Sequence, residues 1–254
     1  MRNIWTICRR ELYAYFVSPI AWVLLTIFGF LSGVFAYDLS ALFVRQSLES
    51  QMNGQTFPMN VNEQIVSPLF SNIAVIGLFI IPLITMRLFA EEKRTGTIEL
   101  LVTSPVRDLQ IVIGKWLSSL LLYGALLLIL FIDISFLFVY GNPDWKPIAT
   151  GFLGLLLLGA SLLALGTFVS TLTKNQIVAG AICFAASLLL WIASWSSFSN
   201  SPIAQFFYQL SIVSHLDSFA RGVIDSKDVI YYLSMIFFGL FLTSRSLESL
   251  RWRS

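Results

Sequence analysis

Residues able to do chemistry are few in this sequence, and nine of its thirty charged residues crowd between Arg87 and Lys115. The densest part reads EEKRTGTIELLVTSPV, Glu91 to Val106. Its acids and bases, followed by a short apolar run and a proline, suit docking: polar contacts around an apolar knob that enters a groove, or a helix laid on lipid. The single histidine, His215, stands two residues from Asp217, a pair whose chemistry would be metal or proton binding. With no second nitrogen or sulfur ligand beside it, a surface hydrogen bond is the better reading, and Asp217 with Arg221 reads as a helix-face pair. Asp133 is the one charged residue deep in a long apolar run, where a carboxylate lines a pathway or bonds to neighbouring helices. Gly114-Lys115 lacks an upstream glycine and is followed by Trp116, so no phosphate-binding loop of the Gly-x-x-x-x-Gly-Lys-[Ser/Thr] kind is present. An intramembrane enzyme would need a nucleophile, base or metal set within the apolar runs; no catalytic, cofactor or metal residues are assigned.

These residues are positioned by membrane-spanning helices. The chain is 57% hydrophobic and 12% charged, outside the soluble globular range. A helix needs ~20 apolar residues to cross ~30 Å of hydrocarbon. Uncharged runs predict six spans, roughly Pro19–Tyr37, Ser67–Met86, Trp116–Tyr140, Ile148–Thr171, Gln176–Trp195 and a short Val229–Ser244. The first starts too late and runs too long for a signal peptide. With the N-terminus inside, twelve of the sixteen basic residues fall on the cytoplasmic side, which places both termini there. Cys8 and Cys183 lie in different elements and form no disulfide framework. No basic stripe with interleaved aromatics suggests nucleic acid.

The leader Asn3–Phe16 reads as an amphipathic helix on the membrane surface, with Arg9 and Arg10 on its polar face. Glu11 falls at the edge of the apolar arc, where it either snorkels or meets the protein's own charged loop. In the outside loop Asp38–Val66, with Gly54 and Pro58, a short helix is expected at Leu39–Leu48; Gly141-Asn142-Pro143-Asp144 is a tight turn. In the charged loop a polar turn runs to Arg94, then Gly96 or Thr97 caps a new short helix with Glu99 in its first turn. Ile98, Leu101 and Val102 share one face of that helix, and Ser104-Pro105 ends it. Ile203–Leu216 is apolar but cannot span without reversing the last helix, so it is expected to dip into the outer leaflet and return.

FAEEKRTGTIELLVTSPVRDLQIVIGK resembles the motif of the type-2 ABC transporter permeases. Glu91, Glu92, Lys93, Gly96, Thr97, Ile98, Glu99, Leu101, Thr103, Ser104 and Pro105 stand in its places. CRRELYAYFVSPIAW and HLDSFARGVIDSKDVIYYLS are similar to the gliding-motility-type permease subunit, a branch similar in turn to permeases serving copper-enzyme maturation. The resemblance implies an all-α integral membrane protein forming one permease domain over residues 1–254. Within it, 1–17 would be an interfacial helix, 87–115 a cytoplasmic coupling loop with a coupling helix, and 196–228 external re-entrant helices. It implies a bacterial inner-membrane location, a cytoplasmic ABC ATPase partner carrying ATP and Mg, a second permease copy or paralogue, and lipid contact. The outside loops are too small for the large extracytoplasmic domain of some exporters. The rival class is a membrane scaffold that recruits a partner through the same loop without transport.

Overall fold

The computed structural model describes residues 2–52, 60–99, 106–140, 143–198 and 201–251, and every regular element among them is helical. The helices are α1 (Arg2–Val17), α2 (Pro19–Met52), α3 (Ser67–Thr85), α4 (Ala90–Thr95), α5 (Asp108–Tyr140), α6 (Trp145–Leu172), α7 (Gln176–Ile192), α8 (Pro202–Leu210), α9 (Leu216–Ala220) and α10 (Ser226–Arg251). A π-helical turn, Asn62–Val66, leads into α3, and a 3₁₀ turn, Ala193–Phe198, follows α7. Six helices are long and apolar enough to cross a membrane.

Most spans run past the limits set by their uncharged cores, because a charge ends a hydrocarbon crossing without ending a helix. The helix expected at Leu39–Leu48 is the continuation of α2, which at 34 residues and ~1.5 Å per residue outreaches a ~30 Å hydrocarbon layer. Nothing between Tyr37 and Met52 breaks it; Gly54, Pro58 and the Gly141-Asn142 turn lie outside the described residues. Asp108 opens α5, where an acid suits the helix dipole. The short last span becomes the 26-residue α10 once Lys227, Asp228, Arg245, Glu248 and Arg251 are included. Starts follow local chemistry: the Ser18 hydroxyl accepts from Ile20 N–H with Pro19 at the first helical position, and the Asn175 side chain accepts from Ile177 N–H at 2.9 Å.

Two helices form the centre. In the most apolar window of α3, 72% of residues are buried and in that of α6 67%, against 17% for α7 and for α10. Helix α6 packs against α3, α5, α7, α9 and α10. Its small residues allow this, since lipid supplies no hydrophobic drive between helices and close packing must hold them. A Cβ at Gly159 would lie 2.2 Å from the Tyr123 ring, and one at Gly239 of α10 would lie 2.8 Å from the Ala164 backbone. Because backbone cannot swing aside, Gly239→Val should cost about 1–3 kcal/mol. An unchanged thermal midpoint of the purified variant would show that this seam is loose.

The leader is docked on the bundle. One stripe of α1 docks on α5 and α2, burying Cys8 and Tyr15, while Trp5, Tyr13 and Val17 stay exposed. Tyr15 Oη donates to the Ile84 carbonyl at 2.8 Å near the end of α3, and Gly114 lets Ile7 and the Ile4 carbonyl close onto α5. At the opposite end of the bundle, Leu216 and Phe219 of α9 pack on Gly154, nine residues into α6. At ~1.5 Å per residue that is about 13 Å along the helix.

Candidate functional site

The charged segment folds as a short helix clamped to the centre of the bundle. Helix α4 has no side-chain cap of its own. Its first N–H groups turn instead to Ser170 of α6, whose hydroxyl oxygen accepts from Phe89 N–H at 3.0 Å and Ala90 N–H at 3.1 Å. In return the Lys93 ammonium donates to the Thr171 carbonyl, one of the last carbonyls of α6, where a cation suits the dipole. Each helix thus completes the other's end. Glu91 and Glu92 lie in the first turn of α4 and Lys93 and Arg94 in the last, each favoured by the dipole there.

Gly96 has the reverse of one expected role. At φ 76° it is the left-handed residue that closes α4, which only glycine adopts without strain, so it ends a helix rather than capping a new one. The polar turn expected up to Arg94 is therefore helical. The chain is helical again at Ile98 and Glu99, after Thr97, whose hydroxyl lies 2.9 Å from that of Thr95. Leu101, Val102, Thr103, Ser104 and Pro105 lie outside the described residues.

A buried ion network ties this helix to two others. Lys115, in the second turn of α5, is 1% exposed, and its ammonium meets Glu92 Oε1 at 2.9 Å, Glu11 Oε1 at 3.0 Å and the Leu88 carbonyl at 2.8 Å. Three donors meet three acceptors, which is what a buried ammonium requires. Arg10 bridges the same two acids, at 2.7 Å to Glu11 and 3.3 Å to Glu92. Arg87 pairs with Glu91 at 3.5 Å and lies over the Tyr15 ring. Glu11 is thus held by the protein's own loop, not by snorkelling. Glu92 and Lys93, expected as outward polar contacts, are turned inward, and Ile98 packs against the core. Arg94, Thr95, Gly96, Thr97 and Glu99 are the exposed tip, and Arg9 is exposed on α1. A cleft of about 790 Å³ opens beside the network, lined by Arg10, Glu11, Arg87, Glu91, Glu92 and Lys115 among others.

Burial by itself would raise the Glu11 carboxyl, but Lys115 and Arg10 more than offset it and hold its pKa below the ordinary glutamate value. A lowered folded pKa means stability that is complete above the unfolded pKa, ~4.3, and is lost as pH falls through the folded value. The midpoint gap between wild type and Glu11→Gln should therefore be constant from neutral pH down to ~5 and shrink below ~4.3. A gap unchanged by acid would remove Glu11 from the network. Burial, with Glu11 nearby, raises the Cys8 thiol, which suits a packing residue.

The other candidates lie elsewhere. Asp133 Oδ2 accepts a hydrogen bond from Ser32 Oγ at 2.5 Å, linking α5 to α2. His215 Nδ1 lies 2.7 Å from Asp228 Oδ1 and Nε2 3.0 Å from the Gln209 carbonyl, with the ring stacked on Tyr231. Asp217 pairs with Arg221 at 2.7 Å instead. No group of three or more metal-ligating side chains occurs among the described residues. Lys115 and Ser170 were not singled out by sequence reading. Lys115 had a signal, as the last charge before the long run Trp116–Tyr140; Ser170 is one of several hydroxyl residues ending α6 and had none.

The arrangement is a joint between helices: α4 is held to α1, α5 and α6, and the residues that follow it, to Thr97, are exposed. No curated protein matches the chain. Residues 44–244, most of the chain and all of α4, match the family described as ABC-2 family transporter protein. A six-helix membrane architecture and that match together establish that this multi-pass membrane protein belongs to the ABC-2 transporter family.

Proposed function

We propose that the chain is the transmembrane permease subunit of an ATP-driven exporter, and that α4 with the tip after it receives the movement of a separate cytoplasmic ABC ATPase. The observation that carries this reading is the division of the charged segment into two faces. Glu92 and Lys93 fasten α4 to α5, α1 and α6, while Arg94–Thr97 and Glu99 are exposed. A push on the tip is then delivered to three helices at once, two of them long, as coupling between rigid elements requires. In this reading the joint faces the cytoplasm of a bacterial inner membrane and both termini lie on that side. The chain is no enzyme; ATP and Mg are held by the partner. A second copy of the permease, or a paralogue, completes the membrane unit.

The test is capture. The tagged chain, extracted from bacterial membranes in mild detergent, should retain a P-loop ATPase identified by mass spectrometry, and the double substitution Arg94→Glu with Glu99→Lys should release it. An intact, correctly inserted chain that retains no ATPase in either form would instead support a scaffold that docks something else through the same tip.

A further inference from the structure

At the end of the bundle opposite the joint, a cavity of about 590 Å³ opens between α2, α5 and the π-helical turn Asn62–Val66. Its volume is that of a small-molecule site, ~300–1,000 Å³, and π-helical turns recur at functional sites. Its walls are apolar, with Ala36, Phe43, Val61, Ile65, Phe136 and Leu137 among them. Tyr37, 74% exposed, belongs to the rim, and the Ser40 hydroxyl is engaged by the Ala36 carbonyl at 2.7 Å. Among the described residues of the lining, Asp133 is the only carboxylate. Ser32 engages its Oδ2, while Oδ1 has no hydrogen-bond partner among the described residues.

Packing between α2 and α5 explains Oδ2 but neither the second oxygen nor the cavity that Asp133 lines. An acid in an apolar run is expensive, up to ~2.5–3.5 kcal/mol at mid-membrane, and one neutral hydroxyl does not offset a charge. A molecule that brings a cation to Oδ1 and an apolar body to the walls would be held by both, and a fatty acid would be repelled. We propose that this cavity binds an amphipathic amine, an apolar chain or ring carrying one ammonium group. That the amine is transported cargo rests on the permease reading; that it binds does not.

The experiment uses the purified full-length chain in a neutral detergent, titrated with dodecylammonium, dodecanol or dodecanoate while the thermal midpoint is followed. The expected result is a saturable rise with the amine alone, weakened about tenfold or more in Asp133→Asn, the loss of one ion pair of ~1.4 kcal/mol or more. Gly33→Leu is the second variant, because Gly33 lines the cavity, a Cβ there meets nothing within 4 Å, and a side chain there narrows the cavity without replacing Asp133 or Ser32. It should weaken the rise even if Asp133→Asn folds poorly. Equal responses to all three probes, or an amine response undiminished by Gly33→Leu, would overturn the proposal. No ATPase is present, so failure here leaves the coupling reading standing, and failure to capture an ATPase leaves this site standing.

Discussion

Lys115→Met should lower stability by about 3–5 kcal/mol, because it strands two carboxylates that were built to face an ammonium. Glu11 and Glu92 both contact Lys115 at the buried end of α5, and Arg10, 59% exposed, cannot compensate for both. The loss should appear as a lowered midpoint of the purified chain. It should be largely recovered by adding Glu11→Gln and Glu92→Gln, since neutral partners need no counter-charge and residues in one network are not additive. A single substitution that costs no more than a surface change, within ~0.5 kcal/mol, would mean that the network does not form.

Ser170→Ala is the other large expected effect, about 2–6 kcal/mol, from two buried N–H groups losing their acceptor at ~1–3 kcal/mol each. The donors are Phe89 and Ala90, both fully buried, so water cannot take the place of the hydroxyl without a rearrangement. Hydrogen exchange localises the effect: amides of Ala90–Thr95 should lose protection while those of α3 keep theirs. Unchanged protection in α4 would show that the helix is held by its ion pairs alone.

How much of this was legible in sequence depends on range. The six spans follow from uncharged run lengths, because the bilayer sets a minimum that composition either meets or fails. Helix ends were less legible, since Asp38, Lys115 and Asp228 end hydrocarbon but not helix. The leader's apolar arc was visible, yet periodicity cannot say whether Cys8 and Tyr15 face lipid or α5. In the charged segment, the motif gave the place and the wheel could not give the direction. Glu92 and Lys93 turn inward because their partners, Lys115 and the end of α6, are 23 and 78 residues away in sequence. Gly96 was ambiguous for a local reason: an isolated glycine after a charged turn suits the start of a helix or the end of one, and only φ decides. For His215, Asp217 was the near acid in sequence and Asp228 proved the near one in space, since the chain turns back at Gly222 to bring the start of α10 beside it.

The most direct test of the coupling account is made on the complex with its ATPase in lipid nanodiscs. A cysteine is placed at Ser40 in the cavity wall, with Cys8 and Cys183 buried and giving little background, and its reaction with a polar maleimide is timed. The rate is compared without nucleotide and with ATP plus vanadate, in chains carrying Lys115 and in chains carrying Lys115→Met. The account predicts that nucleotide changes the rate in the first and leaves it unchanged in the second, with the ATPase bound in both. The same nucleotide response in both chains would contradict it, and would mean that movement reaches the spans by some route other than the α4 joint.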